Sequence, residues 1–186
     1  MIKQSEVVIL LSGGIDSMAC IPFFKDKNLN ITALFCNYGQ LSLEQEKSSA
    51  KAIAHFYRVN FDIINCEGLP KINGGEIISR NALLLNIALY NLQKKPGLIS
   101  LGIHSGTGYV DCSEIFINKM QSIFDLYTDG TIRISTPFIN WTKKDIWDYC
   151  MLKKAPLNLT YSCELGKKQP CGICNSCKDL EVIYAC

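Results

Sequence analysis

No run of hydrophobic residues in this 186-residue chain is long. The first apolar stretch, residues 7–11, holds five residues behind a short polar start. A secretory signal needs a longer one, and a membrane-spanning helix needs about 20 apolar residues. The expectation is a cytoplasmic protein without a membrane segment. An excess of one charge is also lacking: 19 basic residues stand against 17 acidic ones, a net charge of +2. No broad field exists to attract a polyanion, so nucleic-acid binding would need a local patch. Internal repeats, low-complexity tracts and Pro/Gly/Ser-rich linkers are absent too. That argues for one globular domain with at most a small appendage.

What is present supports a core, since 48% of the residues are hydrophobic. Ten cysteines would mean disulfides in a secreted chain, but here they read as reduced thiols. Six of them (Cys20, Cys36, Cys66, Cys112, Cys150, Cys186) have no ligand spacing and read mostly as small buried hydrophobes. Short apolar runs alternate with helical periodicity, the rhythm of an α/β protein with a parallel sheet. Strands are predicted over 7–11, 31–36, 59–64 and 98–102, with a weaker one over 132–135. Runs of that kind suit strands covered on both faces. Helices are predicted over 43–57, 81–92, 114–126 and 143–152, the second apolar almost all round and therefore buried. After Pro156 the periodicity stops. The expected architecture is a doubly wound parallel sheet of about five strands over 1–155. A cysteine-rich tail, 156–186, packs on the same domain.

Directly after the first strand stands Ser12-Gly13-Gly14-Ile15-Asp16-Ser17. Two glycines at a strand-to-helix turn allow conformations closed to other residues and turn N–H groups toward an anion. The next helix N-terminus adds positive potential. Ser12 and Ser17 offer hydroxyls, and Asp16 can orient the loop or meet Mg²⁺. The plainer reading is a Gly-rich turn capping a helix. No Gly-Lys-Ser/Thr follows, so this is not a Walker loop. Pro22 would cost about 3 kcal/mol inside a regular helix, so a kinked or short first helix is expected.

Cys163, Cys171, Cys174 and Cys177 form C-x7-C-x2-C-x2-C. Four thiolates can close a tetrahedral zinc shell, which leaves no open position and marks the metal as structural. An iron–sulfur cluster and a redox pair are the rival readings.

The loop resembles the Ser-Gly-Gly-x-Asp-Ser motif of the N-type ATP pyrophosphatases. With the tail added, the chain resembles the 7-cyano-7-deazaguanine synthase family along nearly its whole length. Tyr38-Gly39-Gln40, Arg80-Asn81, Gly102-Ile103-His104, Tyr109-Val110-Asp111-Cys112, Thr136-Pro137 and Thr142-Lys143-Lys144-Asp145-Ile146 match family segments in order. Ser162-Cys163 and Cys171-Gly172-Ile173-Cys174-Asn175-Ser176-Cys177 match its zinc tail.

The resemblance implies an adenine nucleotide alpha hydrolase-like fold and an ATP-dependent ligase. It also implies a deazapurine carboxylate and ammonia as substrates, Mg²⁺ and structural Zn²⁺ as cofactors, and a homodimer. It places ATP against Leu11, Ser12, Gly13, Gly14, Asp16, Ser17, Phe35, Tyr38, Gln40, Arg80 and Gly102. Arg80 suits phosphate or a substrate carboxylate, and Lys143 the released pyrophosphate or merely solvent. Asp111 suits a purine-like edge or a plain turn, and His104 is a base or a satisfied strand-end histidine. Ser113 stands where the family has arginine, Val110 where it has proline, and the connection between Cys66 and Arg80 is short. These departures also resemble a divergent group from antiphage gene clusters that acts on another carboxylate or joins a deazaguanine to a protein acceptor. An RNA-thiolating relative and a catalytically silent nucleotide-binding scaffold are the remaining alternatives.

Overall fold

The computed structural model describes residues 6–69, 77–92, 95–106 and 108–184. Five parallel strands form one sheet: β1 (Glu6–Leu10), β2 (Asn30–Asn37), β3 (Asn60–Asn65), β4 (Gly97–Ser100) and β5 (Ile132–Ser135), in the order β3-β2-β1-β4-β5. The sequence Glu6-Val7-Val8-Ile9-Leu10 dictates the centre. Val7, Ile9 and Leu11 enter the core on one face, while Val8 and Leu10 enter the core on the other. That is the period-2 alternation of a strand covered on both sides. The run over 59–64 was expected to be covered likewise. It instead forms edge strand β3, with Asn60, Asp62, Ile63 and Asn65 exposed, because among the described residues no further strand pairs beyond it.

The helices α1 (Ile15–Lys25), α2 (Leu43–Tyr57) and α5 (Lys143–Leu152) build the first face. The helices α3 (Arg80–Leu92) and α4 (Glu114–Thr128) build the second. Helix α1 runs through Pro22 for three further residues, against the expectation that proline would cut it short. Met18, Ile21, Pro22 and Phe24 are all buried there. Burying each large apolar side chain contributes about 1.5–3 kcal/mol, which together outweighs the proline. Helix α3 corrects a second expectation. It buries only the stripe Asn81, Leu85, Ala88 and Leu92, and Tyr90 is exposed. Its composition is apolar almost all round, but among the described residues no second layer covers its outer side.

The tail contains one 3-10 turn, Leu157–Leu159, and a helix that periodicity did not predict, α6 (Asn175–Tyr184). Three of its four thiols, with Tyr161 and Leu165, make a small core of their own. Of the scattered cysteines, Cys20, Cys36, Cys112 and Cys150 are buried, Cys66 is half-buried, and Cys186 lies outside the described residues. Among the described residues no helix is long and apolar enough to cross a membrane.

Candidate active site

The sheet reverses direction of winding at β1, whose neighbours β2 and β4 leave by opposite faces. Ligands of open α/β sheets bind outside the strand carboxyl ends at such a point. Here a cleft of about 620 Å³ opens between the loop after β1 and the segment after β4. Leu11, Ser12, Gly14, Asp16, Ser17, Phe35, Tyr38, Gln40, Arg80, Gly102 and Lys143 line it.

The loop is held by its own serines. Ser12 N donates to Ser17 Oγ at 3.2 Å, the two hydroxyl oxygens lie 3.1 Å apart, and Ser17 Oγ donates to Gly14 O at 3.0 Å. Gly13 has φ +87°, a conformation that favours glycine, and a Cβ there would fall 2.6 Å from Glu46 O. Gly13 does not line the cleft; its part is to let the loop pass close over α2. Gly102 allows a second close approach, because a Cβ on it would lie 2.6 Å from the backbone of Asp16. The start of α1 can therefore press against the end of β4.

Asp16 is clamped by Lys143, whose Nζ lies 2.7 and 2.6 Å from its two carboxylate oxygens, with both side chains mostly buried. Lys143 is presented by the capping box of α5, in which Thr142 Oγ1 accepts from Asp145 N and Asp145 accepts from Thr142 N. The lysine is thus not a solvated first-turn residue. His104 is buried after β4, with Nε2 4.0 Å from Asp16 Oδ2. Gly106 N donates to its Nδ1 at 3.1 Å, which puts the proton of the neutral ring on Nε2. Burial holds its pKa below the usual value despite the nearby Asp16 charge, and Lys143 adds to the lowering.

Arg80 opens α3, and its Nε donates to Asn81 Oδ1 at 3.4 Å; burial pushes the Tyr38 phenol up, against the lowering by the Arg80 charge. Asp111 departs from the expected place. It is buried in a 3-10 turn (Val110–Cys112), where Oδ2 accepts from Asn81 N at 3.0 Å and its carbonyl accepts from Asn81 Nδ2 at 3.0 Å. Its neighbours Tyr109 and Cys112 line the cleft; its own carboxylate is turned to the N-terminus of α3. Ser113 N-caps α4 by accepting from Phe116 N at 3.2 Å. Val110 is 77% exposed. The shortened stretch between Cys66 and Arg80 lies largely outside the described residues.

The Sγ atoms of Cys163, Cys171, Cys174 and Cys177 all lie within 4.8 Å of one another. Tetrahedral zinc with Zn–S bonds of about 2.3 Å wants sulfurs about 3.8 Å apart, so a small contraction suffices. Cys174 N already donates to Cys171 Sγ at 3.4 Å, and the N–H groups of Ile173 and Cys174 pull that thiol down to about 6. The donor set fits a thiophilic metal in a closed shell.

Sequence reasoning missed that this tail is a wall of the cleft. Tyr161 N donates to Gly13 O at 2.9 Å, so the tail is tied to the Ser12–Ser17 loop. Tyr161, Ser162, Glu164, Asn175, Ser176, Lys178 and Asp179 then face the same space as the loop. Their only signal was position, between and beside the cysteines.

The family of the queuosine biosynthesis protein QueC matches residues 6–79 and 75–182. A 7-cyano-7-deazaguanine synthase from Methanosphaerula palustris is 33% identical over 97% of this chain and 94% of its own length. One from Prochlorococcus marinus is 29% identical over 98% and 95%. Among solved structures, an NMN synthetase from Francisella tularensis aligns with TM-score 0.57 and 15% identity over 91% of this chain and 71% of that one. An NH3-dependent NAD synthetase from Campylobacter jejuni aligns with TM-score 0.55 and 17% identity over 86% and 68%. At those identities the likeness concerns the fold.

Proposed function

The chain belongs to the QueC family of queuosine biosynthesis proteins, and from that premise we propose that it converts 7-carboxy-7-deazaguanine and ammonia to 7-cyano-7-deazaguanine, consuming ATP. The observation that carries the reading is the Ser12–Ser17 loop at the carboxyl end of β1, facing a cleft walled by a four-cysteine tail. Together these features agree with the relatives' named activity and with a fold shared with an NMN synthetase and an NH3-dependent NAD synthetase.

In this reading the adenine end of ATP lies by Phe35, Tyr38 and Gln40, with Leu11 and Gly102 beneath. The β- and γ-phosphates lie on the N–H groups of the loop, on Ser12 and on Ser17. The substrate carboxylate attacks the α-phosphorus, the bond to the bridging oxygen breaks, and pyrophosphate leaves as an acyl-adenylate forms. Loop donors and Arg80 stabilise the charge that develops on the phosphates. Lys143 leaves Asp16 for the departing pyrophosphate. Ammonia then displaces AMP to give the amide, and a second activation of the amide oxygen, with loss of AMP, gives the nitrile.

Mg²⁺, when bound, would supply charge neutralisation at the phosphates. Asp16 is the acidic group of the loop that would hold it, freed as Lys143 turns away. The tail sulfurs would hold Zn²⁺, closed to substrate and purely structural. Residues 1–155 carry the nucleotide site, and 156–186 close it. Helix α4 exposes Ile115, Ile123, Leu126 and Tyr127, an apolar stripe that homodimerisation would cover.

The test is incubation of the purified protein with Mg-ATP, 7-carboxy-7-deazaguanine and ammonium, read by mass spectrometry of bases and nucleotides. Nitrile with matching AMP is the expected result. Amide alone would mean that the second activation is missing, and no product from folded, metal-loaded protein would end the synthase reading.

A further inference from the structure

Resting on the proposed reaction, we infer that Glu164, braced by Ser176 and paired with Asn175, reads the donor edge of the acceptor base and sets its specificity. Four carboxylates line the cleft: Asp16, Glu46, Glu164 and Asp179. Asp16 has both oxygens on Lys143. Glu46 has Oε1 on the Ser42 hydroxyl at 2.6 Å and Oε2 on Gln40 Nε2 at 3.0 Å. Asp179, on α6, is exposed, and among the described residues no hydrogen bond fixes its carboxylate. Glu164 differs from all three. Its Oε1 accepts from Ser176 Oγ at 2.8 Å and from Ser176 N at 3.2 Å, which fixes the carboxylate and leaves Oε2 for a ligand.

Asn175 repeats the arrangement one residue away. Its Nδ2 donates to Tyr109 Oη at 3.4 Å, leaving Oδ1 as an acceptor. Both side chains therefore have one polar atom anchored to protein and one acceptor left over. Asn175 and Ser176 lie between Cys174 and Cys177 in the thiol knuckle, and Glu164 follows Cys163. Three cysteines of one cluster thus hold the reading groups in place, which lowers the ordering cost of binding.

The chemistry of the acceptor selects the match. A guanine-type ring offers adjacent donors, a ring N–H and an exocyclic amino group, which acceptor oxygens on one wall of the cleft can take up. One of the two is anionic, so the contact is charge-assisted and the stronger for it. A hypoxanthine-type ring lacks the amino group and would leave an acceptor unpaired in the cleft. ATP offers no such donor pair, so its affinity should not depend on Glu164.

The experiment is calorimetric titration of the full-length, zinc-loaded protein with 7-deazaguanine and with 7-deazahypoxanthine, in the presence of a non-hydrolysable ATP analogue. Wild type should prefer 7-deazaguanine roughly 10- to 100-fold, as a hydrogen bond to a charged group implies. Glu164→Gln should abolish the preference while zinc content and ATP-analogue affinity stay unchanged. Ser176→Ala, which keeps the Ser176 N bond, should reduce it by a smaller factor. No preference in wild type, a preference kept by Glu164→Gln, or a loss of ATP-analogue affinity in its place would overturn the inference. The outcome is separable from the synthase reading. Base preference without nitrile formation would sink the reaction and leave Glu164 its role, whereas nitrile formation without a Glu164 effect would do the reverse.

Discussion

Lys143 and Asp16 are 127 positions apart in sequence and 2.6 Å apart in the fold. In the proposed reaction this lysine, held on a loop carboxylate, is the cation that meets the pyrophosphate. Lys143→Met should therefore lower AMP formation by about 100-fold or more, the usual scale for losing one such contact. A radiolabelled ATP assay checks it, and near-normal turnover would return the lysine to a purely structural pairing. His104 makes a different prediction. Its folded pKa lies below the usual 6.5 because burial disfavours the cation. As pH falls through 6.5, the unfolded chain takes up the proton first, so the stability present above that pH is progressively lost. Melting temperature should fall more steeply from about pH 7 to about pH 5 in wild type than in His104→Gln. Parallel slopes would show that the imidazole is not the titrating group. At this scale the Ser12–Ser17 loop was legible because it is contiguous. Glu164 and Ser176 were not, since their meaning lies in a contact that spacing does not encode.

Helix α4 starts at Ser113, a position read from sequence only as a missing cation. The structure gives it another task. Ser113→Ala should cost about 1 kcal/mol, as other N-cap losses do, and for a chain of this size lower the melting temperature by about 2–4 °C. Turnover should be unaffected. A loss of activity without a change in melting would instead place this residue at the acceptor. The tail carries the second prediction at this scale. Its own core is the four thiols with Tyr161 and Leu165, so metal is the expected source of order in the thiol module. Chelation should reduce helical circular dichroism by an amount matching α6 and release the link from Tyr161 to Gly13. ATP turnover should fail in step with zinc loss, measured on one sample by atomic absorption. A tail that keeps its helix without metal would contradict this. Helices α2 and α5 were legible to the residue because their periodicity and, in α5, the Thr142–Asp145 box lie in adjacent residues. Helix α6 was not, since cysteines at ligand spacing interrupt its apolar pattern.

Across the whole molecule, the Ser12–Ser17 loop depends on a close approach between α1 and the segment after β4 at Gly102. A methyl group there would meet the backbone of Asp16. Gly102→Ala should destabilise the protein by about 1–3 kcal/mol and also weaken nucleotide binding, because relief requires α1 to shift. Denaturant melts and equilibrium binding of an ATP analogue measure both, and an unchanged affinity would separate the packing from the site. The amino-acid sequence by itself determined the parallel sheet, the order of its elements, the loop and the four-thiol set. Each of these is written in residues close together: apolar runs such as 7–10, a glycine pair after a strand, cysteines two apart. Tertiary structure alone decided which apolar faces were covered, leaving α3 half-open and β3 at an edge. It alone turned Asp111 toward α3 rather than the cleft and folded the tail over the loop to make one wall of the site. Those outcomes depend on the distribution of layers and on pairings between distant segments. Burial and long-range hydrogen bonds are properties of neighbours in space, and local pattern does not carry them.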